Sequence, residues 1–323
     1  MELAASSPDI CIRHGRQFHE SQSGYGLPND EREFRRLNLQ FRAIKLMAGK
    51  NRWLTKKMTG SNYTAPLPRL NSGKGPKDIL DIASGSGLWV IELAHEFPQA
   101  RVIGVDISSP GISNHDIPGN ASFVSGDITE GIPFGDSSFD VVQMRIVPSI
   151  TERTSIYQEI HRVLRPGGII QLVELSPPIS RTGKRPPALD EADQAVARGG
   201  YMHDEDKDKA PFDSDGKPVS WSIASQMAPS LRNNPLMWTN VNQKKIGVPI
   251  GVWATDKVGQ EAGQLMQRQT IELFNGFRPN LIDIGRMDES EVDDIILRLA
   301  KELEDGSKWQ LETLYDFVWA VRA

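Results

Sequence analysis

The sequence predicts an α/β protein with a doubly wound, mostly parallel sheet of seven strands. Short apolar segments alternate along the chain with segments of helical period, which is the order that builds parallel strands joined by helices. A glycine-rich turn follows the first of these apolar segments, and acidic residues follow the next ones. These observations place a ligand site at the carboxyl ends of the strands, where open parallel sheets bind their ligands.

Composition limits the class of protein before any motif is considered. The 323 residues are 38% hydrophobic, enough for a large core, and the formal net charge of -5 gives no basic field for a nucleic-acid backbone. The only cysteine, Cys11, excludes an internal disulfide and a metal site built on thiolates. The opening lacks a signal-peptide pattern, and no segment has the roughly 20 apolar residues of a membrane span. We therefore expect a cytoplasmic protein that binds no metal, nucleic acid or membrane, of undetermined oligomeric state.

Polar and breaker-rich stretches divide the chain. Residues 1–24 are expected to form a disordered tail, and residues 25–76 a helical cap followed by a linker. Residues 77–323 are expected to form the main domain. Within it, residues 176–220 are rich in proline, glycine and charge, and we expect an insertion that forms a lid or a mobile loop.

Seven segments of the main domain have the short, apolar character of strands. In chain order they are DILDIA, ARVIGVDIS, ASFVSGDI, FDVVQMRIV, GGIIQLVEL, TNVNQKKIGVPI and LYDFVWAVRA. Helices are expected between them where apolar residues keep a helical period, as in LWVIELAHEF and TERTSIYQEIHRVLRPGG. The second of these helices is expected to stop at its proline and two glycines.

The glycine-rich turn distinguishes between two kinds of cofactor. In ILDIASGSGLWVIELAHEFPQARVIGVDIS, Gly85 and Gly87 occupy two positions of the dinucleotide-binding pattern G-x-G-x-x-G, but Val90 occupies the third. Asp81 ends the preceding strand, where its charge repels a pyrophosphate and attracts a cation. S-adenosylmethionine carries an ammonium and a sulfonium and no phosphate. A purely structural turn stays open as an alternative, because an incomplete glycine pattern is weak evidence by itself.

Two further acids follow the next strands. Asp106 lies about 20 residues beyond the glycines, the spacing at which an acid accepts hydrogen bonds from ribose hydroxyls. Asp127 is placed to accept from the exocyclic amine of adenine, with Ile107 and Ile128 on the two ring faces. A single acid at a strand end is common as a turn former, but three on successive strands, together with two glycines, form a specific pattern.

These motifs resemble those of class I S-adenosylmethionine-dependent methyltransferases. LDIASGSG resembles the first motif of that family, GVDIS the second and GDI its adenine-binding acid, while IPFGDSSFDVV and RVLRPGGIIQLVE resemble its later strands. Within the family, YGLPNDEREFRRLNLQ and KIGVPIGVWATDK are similar to the fungal LaeA-like group associated with secondary metabolism. One departure is Ala83, which stands where the family usually has its first glycine.

The resemblance implies the Rossmann-like methyltransferase fold, S-adenosylmethionine as cofactor, and methyl transfer to an oxygen, nitrogen, sulfur or carbon atom of a small-molecule acceptor. The residues expected to bind the cofactor are Tyr25, Asp81, Ala83, Ser84, Gly85, Gly87, Asp106, Ile107, Asp127, Ile128 and Met144. Two other interpretations stay open. One is a LaeA-like regulatory protein that acts through protein partners, and the other is a cofactor-binding fold without transfer activity.

Three residues are candidates for the acceptor side of the reaction, where alignment with the methyl group matters most. Arg145, after the fourth strand, is expected to orient an anionic acceptor or to pair with an acid of the insertion. Glu174, at the end of the fifth strand, is expected to be a base, a substrate anchor or a solvated side chain. His203 lies in the insertion, where a histidine with an ordinary pKa of about 6.5 accepts a proton or is simply exposed.

Overall fold

The computed structural model describes residues 10–19, 25–50, 76–112, 114–199 and 223–323. Parts of the predicted organisation lie outside the described residues: residues 1–9 and 20–24 of the tail, residues 51–75 of the cap and linker, and residues 200–220 of the insertion. The chain divides into two compact units, which we call the helical unit and the sheet unit. The helical unit comprises Met1–Met47, Pro177–Trp221 and Gly247–Leu314, and the sheet unit comprises Ala48–Ser176, Ser222–Ile246 and Tyr315–Ala323.

The described chain contains ten strands and eight α-helices. The strands are β1 (Ile10–Arg13), β2 (Arg16–His19), β3 (Asp78–Ile82), β4 (Arg101–Asp106), β5 (Ala121–Ser125), β6 (Phe139–Arg145), β7 (Leu164–Leu175), β8 (Ile179–Ser180), β9 (Trp238–Ile250) and β10 (Leu311–Arg322). The helices are α1 (Glu31–Lys50), α2 (Leu88–Glu96), α3 (Thr154–Val163), α4 (Pro187–Gly199), α5 (Ile223–Arg232), α6 (Lys257–Asp283), α7 (Glu289–Leu303) and α8 (Gly306–Trp309). None of the described helices is long and apolar enough to cross a membrane.

The sheet unit is built on the parallel strands β3 to β7, in the order β5-β4-β3-β6-β7. Strand β10 runs antiparallel to β7, and β9 pairs with β10. The seven expected strands are therefore confirmed, and the short β8, which pairs with the beginning of β10, is an eighth. The strand order reverses between β3 and β6, so a ligand crevice is expected at the carboxyl ends of these two strands.

One face of the sheet packs against helices α3 and α5 in a continuous apolar core. Leu80, Ile82, Val142 and Met144 supply part of the sheet side of this core. Both faces of the central strands are covered, which explains why these segments are apolar runs rather than alternating patterns. The backbone that positions the site is therefore held by the most buried part of the unit.

The helical unit has its own core, in which α4, α6 and α7 contact one another. Helix α1 begins directly after Asp30, which accepts the backbone N–H of Glu33 at 3.0 Å as its N-cap. Helix α4 lies in the segment expected to be a lid or loop. Its small apolar residues Ala188, Leu189 and Ala192 are buried, which gives this polar segment a packed face that its composition did not indicate.

Residues 10–19, which the sequence places in a disordered tail, form the hairpin β1–β2. His14 and Gly15 have φ of 47° and 73°, as a two-residue hairpin turn requires. The side chain of Arg16 pairs with Asp30 at 2.6 Å, and the N–H of Asn29 donates to the carbonyl of Gln17 at 2.8 Å. The tail prediction is wrong for this segment because these anchors are tertiary contacts with the start of α1.

Candidate functional site

The glycine-rich turn runs from the end of β3 to the start of α2. Ser84 donates its backbone N–H to the carbonyl of Val105 on β4 at 3.0 Å, and Gly87 donates to the carbonyl of Ser84 at 3.0 Å. Ala83, Gly85 and Gly87 have φ of 55°, 55° and 77°. The turn therefore uses left-handed backbone at three positions, two of which carry the residue type that adopts it freely.

The alanine at the family's usual glycine position is the strained member of this turn. A left-handed conformation costs a residue with a Cβ about 1–2 kcal/mol. Ala83 keeps the backbone path of a glycine in spite of this cost. The departure from the family motif therefore preserves the shape of the turn and lowers its stability.

Asp106 connects the end of β4 to this turn. Its carboxylate accepts the backbone N–H of Gly85 at 2.8 Å and that of Ser108 at 2.8 Å. Burial raises the pKa of Asp106, and these two hydrogen bonds, together with one from the side chain of Ser108, oppose the effect. A carboxylate has about four lone-pair directions, and with the side chain of Ser108 as a third donor about one direction remains for a hydroxyl of a ligand.

Asp81 is buried at the end of β3, 2% exposed, between Gly104 of β4 and Gln143 of β6 in the sheet register. Burial raises the pKa of Asp81 to about 7, while the positive charge of Arg145 opposes this effect and the charge of Asp106 adds to it. A cationic ligand placed beside this carboxyl would favour its ionised form. The site therefore suits a ligand with an ammonium group.

Arg145 is the last residue of β6. Burial lowers the pKa of its guanidinium, and the negative charges of Asp81, Glu92 and Tyr315 oppose this effect. Its electrostatic partners in the sheet unit are thus acids of β3 and α2. Its expected contact with an anionic acceptor or with an acid of the insertion stays a prediction.

A cavity of about 540 Å³ lies beside the turn and the ends of β4 and β5. It includes two predicted residues, Ser84 and Asp106. Its other walls are Ser108, Ser109, Pro110, Ile112, Ile117, Pro118, Gly119, Ala121, Ser122, Phe123, Val124 and Ser125. Sequence reasoning missed these residues because ASFVS has the character of an ordinary core strand.

Phe123 explains one requirement for glycine in the turn. A Cβ on Gly87 would lie 2.7 Å from the Phe123 ring and 3.1 Å from Ile112, and a Cβ on Gly104 would lie 2.7 Å from the same ring. Phe123 therefore fills the space that two glycines leave open. The third glycine position of the motif is Val90, which is fully buried in α2.

The remaining predicted cofactor residues of the sheet unit have contacts of their own. Asp127 accepts the N–H and hydroxyl of Thr129 at 2.8 and 2.6 Å. Ile128 and Met144 are 5% and 1% exposed and pack in the core, whereas Ile107 is half-buried. The expected adenine contacts of Asp127, Ile107 and Ile128, and the cofactor contact of Met144, stay predictions.

Glu174 lies in a buried ion pair. Its Oε1 accepts Nη2 of Arg153 at 2.6 Å and the backbone N–H of Val147 at 2.7 Å, and both charged side chains are at most 5% exposed. This geometry differs from the solvated glutamate that was one of the alternatives. Its expected role as base or substrate anchor stays a prediction.

Two predicted residues are not among the described residues of the sheet unit. Tyr25 is in the helical unit, where it packs against a cluster that includes Leu27 and Phe277. His203 lies outside the described residues. Among the residues that the structure describes, no group of three histidine, cysteine or acidic side chains is placed to hold a metal ion.

A doubly wound sheet with a left-handed glycine turn after β3, a buried acid at the end of β3 and a second acid at the end of β4 is the arrangement of an enzyme that uses S-adenosylmethionine. The residues fit this cofactor because Asp81 favours a cation and Asp106 keeps an acceptor direction for a ligand hydroxyl. The fold and the turn therefore agree with the expected resemblance to class I methyltransferases.

Comparison with known proteins agrees with this class. Residues 79–168 match the family described as "Methyltransferase domain". Methyltransferase pytC of Aspergillus terreus is 26% identical over 286 residues, which are 86% of this chain and 78% of that protein. Secondary metabolism regulator laeA of Aspergillus niger is 32% identical over 165 residues, and Protein-methionine methyltransferase laeA of Emericella nidulans is 31% identical over 165 residues. Each laeA match covers 50% of this chain and 40% of the relative, so this chain aligns with less than half of those proteins.

The expected resemblance to class I S-adenosylmethionine-dependent methyltransferases, and within them to the LaeA-like group, is confirmed. S-adenosylmethionine is its cofactor, and its activity is methyl transfer. The two other interpretations, a purely regulatory protein and a fold without transfer activity, are not favoured.

Proposed function

We propose that the enzyme methylates a small molecule of secondary metabolism at an oxygen, nitrogen, sulfur or carbon atom. The observation that carries the proposal is the extent of similarity. The match to a protein named as a methyltransferase covers 86% of this chain, whereas the match to proteins named as regulators covers 50%. The formal net charge of -5 provides no basic field for a nucleic-acid acceptor.

In this proposal the carboxyl ends of the parallel strands bind the ammonium, the ribose and the adenine of the cofactor. Asp81 pairs with the ammonium, and Asp106 accepts from the ribose hydroxyls. Asp127 accepts from the adenine amine, with Ile107 and Ile128 on the ring. The other contacts come from Tyr25, Ala83, Ser84, Gly85, Gly87 and Met144. The raised pKa of Asp81 and the remaining acceptor direction of Asp106 support this assignment.

The sulfonium, when bound, supplies a methyl group that is already activated toward a nucleophile. Transfer to a lone pair of the acceptor would leave the electron pair of the broken carbon–sulfur bond on sulfur, so that S-adenosylhomocysteine would be released. We propose that the chain supplies alignment, with Arg145 next to the reacting edge, and that His203 takes the proton of a hydroxyl or amine acceptor.

A second function has one specific observation in its favour. The relative from Emericella nidulans is named a protein-methionine methyltransferase, so methylation of a protein side chain is the competing proposal. The two differ in the size of the acceptor, and an assay that separates acceptors by size therefore distinguishes them.

The test uses the purified full chain with S-adenosylmethionine that carries a labelled methyl group. An extract of a fungus that produces secondary metabolites is divided into a small-molecule fraction and a protein fraction. Each fraction is then offered to the enzyme as a source of acceptor. Label in the small-molecule fraction is the expected result. Label confined to protein would replace the proposal with the competing one.

We also propose a cytoplasmic location. Its support is compositional, since the only cysteine, Cys11, is a free thiol, which suits a reducing compartment. Fluorescent tagging at either terminus in a fungal host tests this location, and accumulation in a secretory compartment would contradict it.

A further inference from the structure

The turn that follows β6 contains a strained residue. Ile146 has a φ of 54°, in the left-handed region that β-branched residues rarely adopt. Such a conformation persists only where the surrounding contacts impose it, and it is common at functional sites. Ile146 comes directly after Arg145, at the carboxyl edge of the sheet.

Two buried side chains hold this turn. Glu174 accepts the backbone N–H of Val147 at 2.7 Å, and Arg153 donates to the carbonyl of Val147 at 2.7 Å. Both peptide groups of Val147 are thus bound by one ion pair, whose own Nη2 to Oε1 distance is 2.6 Å. Arg153 also donates to the carbonyl of Ile150 at 2.9 Å. The residue after the strained position is therefore fixed on both sides.

The neighbour on the other side is Arg145. It lies two residues beyond Gln143, the partner of Asp81 in the β3–β6 register, and therefore on the same face of the sheet, where its positive charge acts on Asp81. The groups that face Asp81 are Arg145 and Gln143 from β6 and Asp106 from β4. Arg145 in turn faces Glu92 of α2 and Tyr315 of β10. Arg145 is the cation of this group, so its position sets how easily Asp81 ionises.

We propose that Glu174 and Arg153 are positioning residues for methyl transfer, because the pair imposes the strained turn at Ile146 and thereby holds Arg145 beside Asp81. The inference rests on the proposed contact between Asp81 and the cofactor ammonium. It gives Glu174 a role in the reaction that requires no contact with the acceptor.

The first test removes the charge of the Glu174 side chain and keeps its shape. Glu174→Gln retains an oxygen for the N–H of Val147 and loses the charge attraction to Arg153. We expect binding of S-adenosylhomocysteine to weaken about tenfold and the pH midpoint of binding to rise above the pKa of about 7 at Asp81. The KM for S-adenosylmethionine should rise more than kcat falls.

The second test removes the strain. Glycine adopts the conformation of Ile146 without penalty, so in an Ile146→Gly background the turn no longer needs the pair. Glu174→Gln should then weaken binding only about twofold, which makes the two substitutions strongly coupled. A buried pair with a merely structural role would give the same loss in both backgrounds.

The matched control is Asp140→Asn at the amino ends of the same strands. Asp140 is a buried carboxylate that accepts the N–H groups of Lys77 and Asp78 at 2.7 and 3.1 Å and pairs with Arg165 at 2.9 Å. We expect this variant to lower the unfolding temperature and to leave the pH midpoint of binding unchanged. Arg153→Lys is the second variant of the pair if Glu174→Gln does not fold.

The inference would be overturned if Glu174→Gln weakened binding equally in the wild-type and Ile146→Gly backgrounds. It would also be overturned if neither Glu174→Gln nor Arg153→Lys changed the pH midpoint of binding. Failure of the proposed site gives a different result. If Asp81→Asn keeps the wild-type pH profile, then Asp81 does not bind the ammonium. In that case, coupling between Ile146 and Glu174 in unfolding experiments still decides whether the pair imposes the turn.

Discussion

The carboxylate of Asp106 accepts the backbone N–H of Gly85 at 2.8 Å, so the residue expected to bind ribose also shapes the turn. The same side chain accepts the N–H of Ser108 at 2.8 Å. Strand β4, the glycine turn and the loop that borders the cavity are therefore joined by one carboxylate. Substitution of Asp106 should affect both the ligand and the turn.

Replacement of Asp106 by alanine should weaken S-adenosylmethionine and S-adenosylhomocysteine about 10- to 100-fold, because hydrogen bonds to a charged group contribute about 1.5–3 kcal/mol. Asp106→Asn is the control, since it keeps an oxygen for the N–H of Gly85 and should lose less. Isothermal calorimetry measures both affinities. Unchanged affinity in the alanine variant would remove Asp106 from the site.

Ala83→Gly should raise the free energy of unfolding by about 0.5–1 kcal/mol. The left-handed backbone costs alanine about 1–2 kcal/mol, and the greater freedom of glycine in the unfolded chain offsets part of the gain. Ala94→Gly inside α2 is the control and should lower stability by about 1 kcal/mol. If both variants lose stability in urea titrations, the strain assigned to Ala83 is wrong.

Cofactor affinity should depend on pH through Asp81. Its pKa of about 7 lies above the ordinary value of 3.8, so the folded protein retains a proton there across that window. The contribution of Asp81 to stability therefore falls as pH rises from 3.8 to about 7, while its affinity for an ammonium increases. Below this pKa, affinity for S-adenosylhomocysteine should fall about tenfold for each pH unit.

The control for this pH dependence is Asp81→Asn, which has no charge to lose. Its affinity should be weak and nearly constant across the same pH range in calorimetry. A wild-type profile that stays flat between pH about 5.5 and 8 would show that no titrating carboxyl contacts the ammonium.

Gly104→Ala should destabilise the sheet unit by about 1–3 kcal/mol, because the new Cβ would lie 2.7 Å from the ring of Phe123 and 2.8 Å from Oγ of Ser84. Phe123→Val in the same chain should recover part of the loss. Gly119→Ala, where nothing lies within 4 Å, is the control for thermal unfolding. A cost at Gly104 that the smaller side chain does not reduce would point to backbone strain instead.

NAD should not bind at micromolar concentration. The negative charge of Asp81 opposes a pyrophosphate, and the buried Val90 takes the place of the third glycine. Fluorescence titration with NADH checks this expectation. Binding that S-adenosylhomocysteine displaces would contradict the cofactor assignment.

Local sequence pattern was sufficient for the elements of the sheet. Apolar runs such as DILDIA and FDVVQMR are buried on both faces in parallel pairing. Each can therefore be recognised as a strand from its own residues, before its neighbours in the sheet are known. The same holds for the glycine turn, because left-handed backbone restricts residue type at Gly85 and Gly87. Hairpin β1–β2 and helix α4 were missed because their stability comes from tertiary contacts rather than from their own pattern.

The sequence by itself determined the class of fold and the cofactor, because both depend on residue types at fixed distances from a turn. The contacts of Asp81 and Asp106 with that cofactor stay predictions. Tertiary structure alone decided how each acid behaves. Burial raises the pKa of Asp81, and Arg153 binds Glu174 in the core although the two are 21 residues apart. Burial and charge pairing depend on which segments the fold brings together, and local spacing does not carry that information.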